Sequence, residues 1–191
     1  MLIGPATLRN ALYKKESGTM VDLKGPLHAE HFSLIQTQRS HFEPLYQIAG
    51  DPLIWEQHPD KDRWRREVFS VFFENGLNND LGCFTIIDGH SERIIGSTRF
   101  YAHDAAQKSI RLGYTFIARE YWGTNANKVI KTALLNHIFQ HVETVFFDIG
   151  DANFRSIRAT EKLGATFWQH AGDGKSVYRL LKLQFFSKGS P

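Results

Sequence analysis

From Phe84 onward the hydrophobic period of the chain changes twice, and the order of those changes leaves few folds open. Phe84 to Asp88, Ile94 to Tyr101 and Ile110 to Ile117 are rich in β-branched residues and alternate with period two, as strands do. The short polar runs Asp88-Gly89-His90-Ser91 and Asp104-Ala105-Ala106-Gln107 join them, which predicts an antiparallel meander. The period then lengthens: Ala126, Ile130, Ala133, Leu134, His137 and Ile138 mark one face of a long helix. Val145-Phe146-Phe147-Asp148-Ile149 returns as a buried strand. A helix from Asn153 to Leu163 follows, stopped by Gly164. Ala165 to His170 and Val177 to Leu183 form a last pair of strands about the turn Ala171-Gly172-Asp173-Gly174.

The front of the chain reads differently. The first twenty residues hold a weak strand and a turn at Lys14-Lys15-Glu16-Ser17-Gly18, and Val21-Asp22-Leu23 alternates like a short strand. His28 to Gln38 carries Phe32, Leu34 and Ile35 at helical spacing, and Pro44 to Ala49 reads as a second short helix. Trp64, Val68, Phe69, Phe72 and Phe73 recur at three- and four-residue intervals, giving a helix with an aromatic face that Gly76 to Asp80 ends. Helices, then a meander, then a strand–helix–strand unit predict an α+β fold with a mixed sheet. No linker rich in Pro, Gly or Ser divides the 191 residues, so residues 1–191 are expected to form one domain.

Charge and cysteine usage narrow the function classes. The 23 basic and 20 acidic residues are interleaved almost throughout, which argues against a nucleic-acid-binding face. The exception is Lys61-Asp62-Arg63-Trp64-Arg65-Arg66, either a solvated helix start or a docking patch for RNA or an acidic substrate. The single cysteine, Cys83, excludes an intrachain disulfide and fits a reducing cytoplasm; in its apolar run it reads as a small hydrophobe. The N-terminus does not read as a signal peptide, and no segment has the length of a membrane-spanning helix. His137 and His141 stand at i, i+4 but lack a third ligand nearby, so no metal site is expected.

Two strand-to-helix turns carry the chemistry. In Tyr121-Trp122-Gly123-Thr124-Asn125-Ala126-Asn127-Lys128 a strand runs through a tight turn into a helix start. Unpaired amides and the helix dipole make such a start an anion site, suited to a pyrophosphate. Thr124 is placed to cap the helix, Asn125 tolerates the left-handed backbone that a Gly would otherwise supply, and Lys128 and Lys131 could neutralise phosphate. An ordinary capped helix would use the same residues. Asp151-Ala152-Asn153-Phe154-Arg155-Ser156 repeats the plan, with Asn153 as cap and Ser156 three residues on. Two such starts could bracket one elongated, phosphate-tailed cofactor.

From about Gly82 to Leu183 these motifs, in this order, resemble the GNAT superfamily of acyl-CoA-dependent N-acetyltransferases, in its RimJ/RimL-type branch. The residues that carry the resemblance are Gly113-Tyr114 at a strand, Trp122-Gly123 with Asn127 and Lys131, the helix half Leu134-Leu135-Asn136-His137-Ile138-Phe139, and Asn153 and Ser156 followed by Glu161-Lys162-Leu163-Gly164-Ala165. Leu27-His28-Ala29-Glu30-His31-Phe32 and the segment from Asp51-Pro52 to His58-Pro59 also look like the family. The resemblance implies a mostly antiparallel central sheet flanked by helices, with a V-shaped opening between core strands 4 and 5, here Ile110–Ile117 and Thr144–Ile149. It implies that acetyl-CoA is the cosubstrate and that no metal is needed. The amides of Gly123, Thr124, Asn125, Ala126 and Asn127 would hold the pyrophosphate, framed by Trp122 and assisted by Lys131, and Asn153 would contact the pantetheine arm.

The reaction so implied is direct attack of a primary amine, on a protein N-terminus or a small molecule, on the thioester. It needs a proton acceptor, donors for the oxyanion and an acid for the thiolate. The amide of Ile117 is the family-like oxyanion donor and Ser156 the candidate acid, because Thr160 stands where many relatives have a Tyr. His103, Asp104, Glu120 and His170 are the nearest candidate bases in topology, and Trp55 and His58 line the acceptor side. A catalytically impaired acyl-CoA-binding regulator is the alternative. The expected protein is cytoplasmic, a monomer or homodimer, with no membrane partner.

Overall fold

The computed structural model describes residues 23–187. The chain forms β1 (Leu27–Ala29), β2 (Phe32–Gln36), α1 (Phe42–Ala49), α2 (Arg66–Leu77), β3 (Cys83–Asp88), β4 (Arg93–Asp104), β5 (Ser109–Ile117), α3 (Ala126–Ile138), β6 (Thr144–Gly150), α4 (Phe154–Lys162), β7 (Thr166–Gly172), β8 (Lys175–Leu181) and α5 (Lys182–Ser187). The strands make one eight-stranded sheet in the order β1-β2-β3-β4-β5-β6-β8-β7, antiparallel except where β5 meets β6. This is the α+β architecture expected from the order of periods.

The sheet divides the interior in two. On one face α3 and α4 cover an aliphatic core in which Ile130, Leu134 and Ile138 meet Ile86, Ile95, Phe100 and Leu112. On the other, α1 and α2 pack Leu45, Phe69 and Phe73 with Trp55 against Phe116. Strand alternation assigns each side chain to a face: Phe100 belongs to the first and Arg99 to the second, Thr115 and Ile117 to the first and Tyr114 and Phe116 to the second. Gly164, at φ +100, ends α4 as expected.

The front segment departs from its helical reading. Residues 28–38 are mostly β1 and β2, joined through Glu30 at φ 52, and β2 pairs along β3 from Phe32↔Asp88 to Gln36↔Phe84. Phe32 and Leu34 are buried with Ser33 between them, so the operative period is two; the three-residue step from Phe32 to Ile35 was incidental. At the other end, Lys182 and Leu183 begin α5 instead of completing the last strand. The strand and turn read in the first twenty residues, and most of Val21–Leu23, lie outside the described residues.

Two irregularities shape β4 and β5. Their register shifts between Ser97 and Arg99, opposite Tyr114 at φ 52, and the strands press so closely that a Cβ on Gly96 would sit 2.1 Å from the Phe116 carbonyl oxygen. The terminal strand β7 is exposed along its whole length. Its pairing with β8 is broken twice, at Phe167/Gln169 and His170/Gly172, and the Arg179 guanidinium lies 3.6 Å over the Trp168 ring.

Lys131 was expected to serve phosphate. Its side chain instead turns under the sheet, 7 % exposed, and donates from Nζ to Thr115 Oγ1 at 2.5 Å and Thr98 Oγ1 at 3.4 Å. One turn after the helix start, position 131 falls on the buried stripe with Ile130, Leu134 and Leu135, which directs it away from the loop. Burial lowers its pKa from 10.5 to about 7.

Two predictions follow from this packing. Gly96→Ala should cost about 1–3 kcal/mol in urea unfolding, because the new methyl must displace the β5 backbone. Lys131 binds its proton more tightly in the unfolded chain, so its contribution makes stability rise with pH from about 7 towards 10.5. Between pH 7 and 9, wild type should gain about 2 kcal/mol relative to Lys131→Met, which lacks the titrating group.

Candidate active site

β5 and β6 pair in parallel only at Ser109↔Thr144, Ile110↔Val145 and Arg111↔Phe146. Beyond that β5 runs to Ile117 and β6 to Gly150 without touching, and a V-shaped gap opens between them. These are the two strands expected to border the opening; the β1–β2 hairpin makes them fifth and sixth in chain order. Ala118 donates its N–H to Ile95 O on the β4 side at 2.8 Å. Peptide groups alternate along a strand, so those of Ile117 face the gap. Consistent with this, the Ile117 carbonyl accepts from Trp122 Nε1 at 3.1 Å.

At the mouth of the gap, the loop after β5 enters α3. Gly123 holds φ +76, and a Cβ there would meet nothing within 4 Å, so the loop is open to an approaching ligand. Thr124 Oγ1 donates to Tyr121 O at 2.7 Å and accepts from Ala126 N at 3.2 Å; it closes the turn one residue ahead of the N-cap position, Asn125, whose own side chain makes no cap bond. Asn125, at φ −79, is not left-handed; Gly123, two residues earlier, is the residue of this turn that takes that conformation. The first α3 amide bonded to a backbone carbonyl is that of Val129, to Asn125 O at 3.0 Å, leaving Asn127 and Lys128 with the free N–H groups of a helix start. The loop is anchored through Tyr121, which donates to Asp88 Oδ2 at 2.7 Å. That bond, with the His90 amide and the Ser91 hydroxyl, holds the Asp88 carboxyl down to about 2.

Across the gap, Asn153 caps α4 by accepting the Ser156 N–H at its Oδ1, 3.1 Å away, which leaves its Nδ2 for a ligand. Ser156 is half-buried in the first turn of α4, and Thr160, one turn on, is fully buried. Arg155 was not anticipated. Its N–H donates to Gln57 Oε1 at 3.1 Å, its Nη2 to Ile54 O at 3.3 Å, and its guanidinium lies 3.7 Å over the Trp122 ring. One side chain thus ties the start of α4 to the segment before α2 and to the loop before α3.

The candidate bases do not converge. Asp104, beside His103, pairs with Ser109 at the closed end of the V, eight positions along β5 from Ile117, or about 26 Å. Glu120 is paired with Arg93 at 3.3 Å, and His170 lies against the Ser176 hydroxyl at 3.1 Å, itself bonded to Asp151 at 2.6 Å. His58, expected on the acceptor side, does pack edge-on against Trp55, but burial and the nearby Arg63 push its pKa down to about 4. It is neutral at pH 7 and a feeble proton acceptor.

The face of the sheet under α2 holds the groups that sequence reasoning missed. Tyr101 donates to Asp148 Oδ2 at 2.7 Å, and Arg111 pairs with the other oxygen of the same carboxylate, where β5 and β6 begin to part. Beside them, Arg63, Arg99, Phe72 and Tyr114 line a groove of about 670 Å³. Only burial would have flagged Arg99, because β4 also carries Arg93, Ser97, Thr98, His103 and Asp104. Among the described residues, no group of three or more His, Cys, Asp or Glu is arranged to hold a metal ion, and no helix is long and apolar enough to cross a membrane.

Comparison with known proteins agrees with this geometry. No curated protein sequence matches the chain. Solved structures do: a candidate acetyltransferase, 25% identical with a TM-score of 0.70, over 84% of this chain and 88% of that one. A GCN5-related N-acetyltransferase from Brucella melitensis has a TM-score of 0.74 at 15% identity, over 85% and 80%. The spermidine N-acetyltransferase of Vibrio cholerae, in complex with CoA and spermine, has a TM-score of 0.65 at 13% identity, over 81% and 98%. Residues 31–166 match the acetyltransferase (GNAT) domain, and with the split sheet and the two helix starts that flank it the chain belongs to the GNAT acetyltransferase family.

Proposed function

We propose that the protein is an N-acetyltransferase of the RimJ/RimL type that moves an acetyl group from acetyl-CoA to a primary amine. The observation that carries the reading is the pair of helix starts at Trp122–Asn127 and Asn153, held at fixed separation across the β5–β6 gap by the Arg155–Trp122 contact. The residues suit the cosubstrate: Gly123 presents open backbone, Asn127 and Lys128 offer unpaired amides to a pyrophosphate, and Asn153 Nδ2 can meet an amide of the pantetheine arm. Of the two lysines expected to neutralise phosphate, Lys128, exposed in the first turn, is the one that faces solvent.

When bound, acetyl-CoA supplies an acetyl group activated as a thioester. The chain orients it and answers the charge changes. The Ile117 N–H, facing the gap, donates to the carbonyl oxygen as negative charge grows there. The Ser156 hydroxyl donates to the departing sulfur; a serine is a weak acid, so its part is hydrogen bonding more than full proton transfer. The amine enters from the α2 face, where the groove lined by Phe72, Arg99 and Tyr114 opens. The coordinated Trp55 and His58 stand on that side. In the Vibrio cholerae relative the bound amine is spermine; here the acceptor is a protein N-terminus or a small amine.

Calorimetric titration with acetyl-CoA, with ATP as control, tests the reading: micromolar binding to the former alone supports it, and no binding to either overturns it. Gly123→Val should weaken acetyl-CoA about tenfold or more, since valine resists φ +76 and its branches obstruct the backbone. Ser156→Ala should lower kcat by about tenfold or more at nearly constant acetyl-CoA affinity, a loss reserved to the transition state. Binding at full strength with no thiol release over a broad amine panel would instead mark the chain as an acyl-CoA-binding regulator.

A further inference from the structure

We infer that the groove between α2 and β4–β5 binds a carboxylate on the acceptor amine, with Arg99 as the residue that reads it; this rests on the acetyl-transfer reading above and gives its substrate class. Arg99 is 5 % exposed and Arg63 8 %. Both guanidinium groups stack on the same two rings, Arg99 at 4.6 Å from Phe72 and 4.1 Å from Tyr114, Arg63 at 4.9 and 5.7 Å. Only one of the two cations has a carboxylate: Arg63 pairs with Asp60. Among the described residues Arg99 makes one hydrogen bond, from Nη2 to Phe72 O at 3.1 Å, and no ion pair.

Such an arrangement is costly. Burying a cation without a counter-anion is strongly unfavourable, and stacking on an aromatic face offsets only part of that penalty. A groove of about 670 Å³ lies over these two guanidinium groups, and its remaining acid, Glu67, is exposed. An anionic ligand supplies the missing charge, and a guanidinium fork matches a carboxylate with two parallel hydrogen bonds.

The position of the groove assigns it to the acceptor. Arg99 lies across from Gly113 on β5, and Tyr114, turned at φ 52 by the register shift, presents its ring to the groove three residues before Ile117. Tyr114 and Arg99 are on the α2 face, opposite α3 and α4, so a molecule in the groove lies on the face from which the amine enters. Arg99, the cation there without an acidic partner, disfavours an ammonium group beside it. The chain therefore differs in acceptor from its spermidine-acetylating relative.

The test uses acceptors matched in skeleton and differing in charge: β-alanine, β-alaninamide and 1,3-diaminopropane, each with acetyl-CoA, followed by thiol release. A second set, L-phenylalanine, its amide and phenethylamine, covers a larger apolar body. Wild type should prefer the carboxylate over the amide by about tenfold or more in kcat/KM and use the diamine least. In Arg99→Met that ratio should fall to within about twofold while the acetyl-CoA Kd stays constant, and Arg99→Lys should restore part of it. A folded Arg99→Met with the wild-type ratio, or a wild type that favours the diamine, overturns the inference. The corresponding N-acetylated products, titrated calorimetrically without cosubstrate, decide the groove independently of turnover. The acid should bind more tightly than the amide in wild type and equally in Arg99→Met; equal binding in wild type sinks the inference. Failure of acetyl-CoA to bind would refute the acetyl-transfer reading while leaving this product comparison intact.

Discussion

The incomplete parallel seam between β5 and β6 is the constraint on which the other features depend. A sheet that stops pairing partway leaves backbone donors and acceptors along both inner edges, and such groups must find partners or face solvent. The protein spends some locally: Trp122 Nε1 takes the Ile117 carbonyl. The rest are available to an extended ligand laid between the strands. Continuity of the sheet is preserved at the narrow end by three pairs and on the far side by β8, which pairs along the whole of β6 from Thr144↔Leu181 to Gly150↔Lys175.

The two faces of the sheet are built for different work. Beneath α3 the core is mostly aliphatic with phenylalanines among it, and Lys131 sits there with two threonine hydroxyls and a depressed pKa. Beneath α1 and α2 the packing is aromatic and carries charge within it: guanidinium groups on ring faces, the Tyr101–Asp148–Arg111 cluster, and His58 held neutral. Aromatic faces attract a desolvated cation, which aliphatic side chains do not. The division follows from alternation along β4 and β5, which sends Phe100 and Ile117 one way and Arg99 and Tyr114 the other.

Much of this was legible in sequence because local and tertiary signals agreed. The meander, α3 and α4 announced themselves by period, and Asn153, Thr124 and Gly164 by cap and turn chemistry that acts within a few residues. Where the deciding interaction was distant, local reading failed. Nothing within residues 28–38 says that β3 will pair with them, and helical spacing of three apolar residues is weak against a sheet edge. Lys131 was assigned by proximity in the chain to the loop, while helix geometry turned it to the core. Arg155 reaches Gln57 across 98 positions and Arg99 meets a ring contributed by α2, contacts with no short-range signature.

The outer strand β7 shows how an open sheet can end without becoming sticky. With one edge unpaired and both faces exposed, it presents Phe167 and Trp168 to solvent. A regular strand of that kind is a template for adding a strand from another molecule, the first step of uncontrolled association. Here two bulges within a single hairpin interrupt the even row of backbone groups, and a guanidinium covers the Trp168 ring. Irregularity and a stacked charge thus serve as insulation, and the edge resists indiscriminate β-addition at the concentrations of a crowded solution.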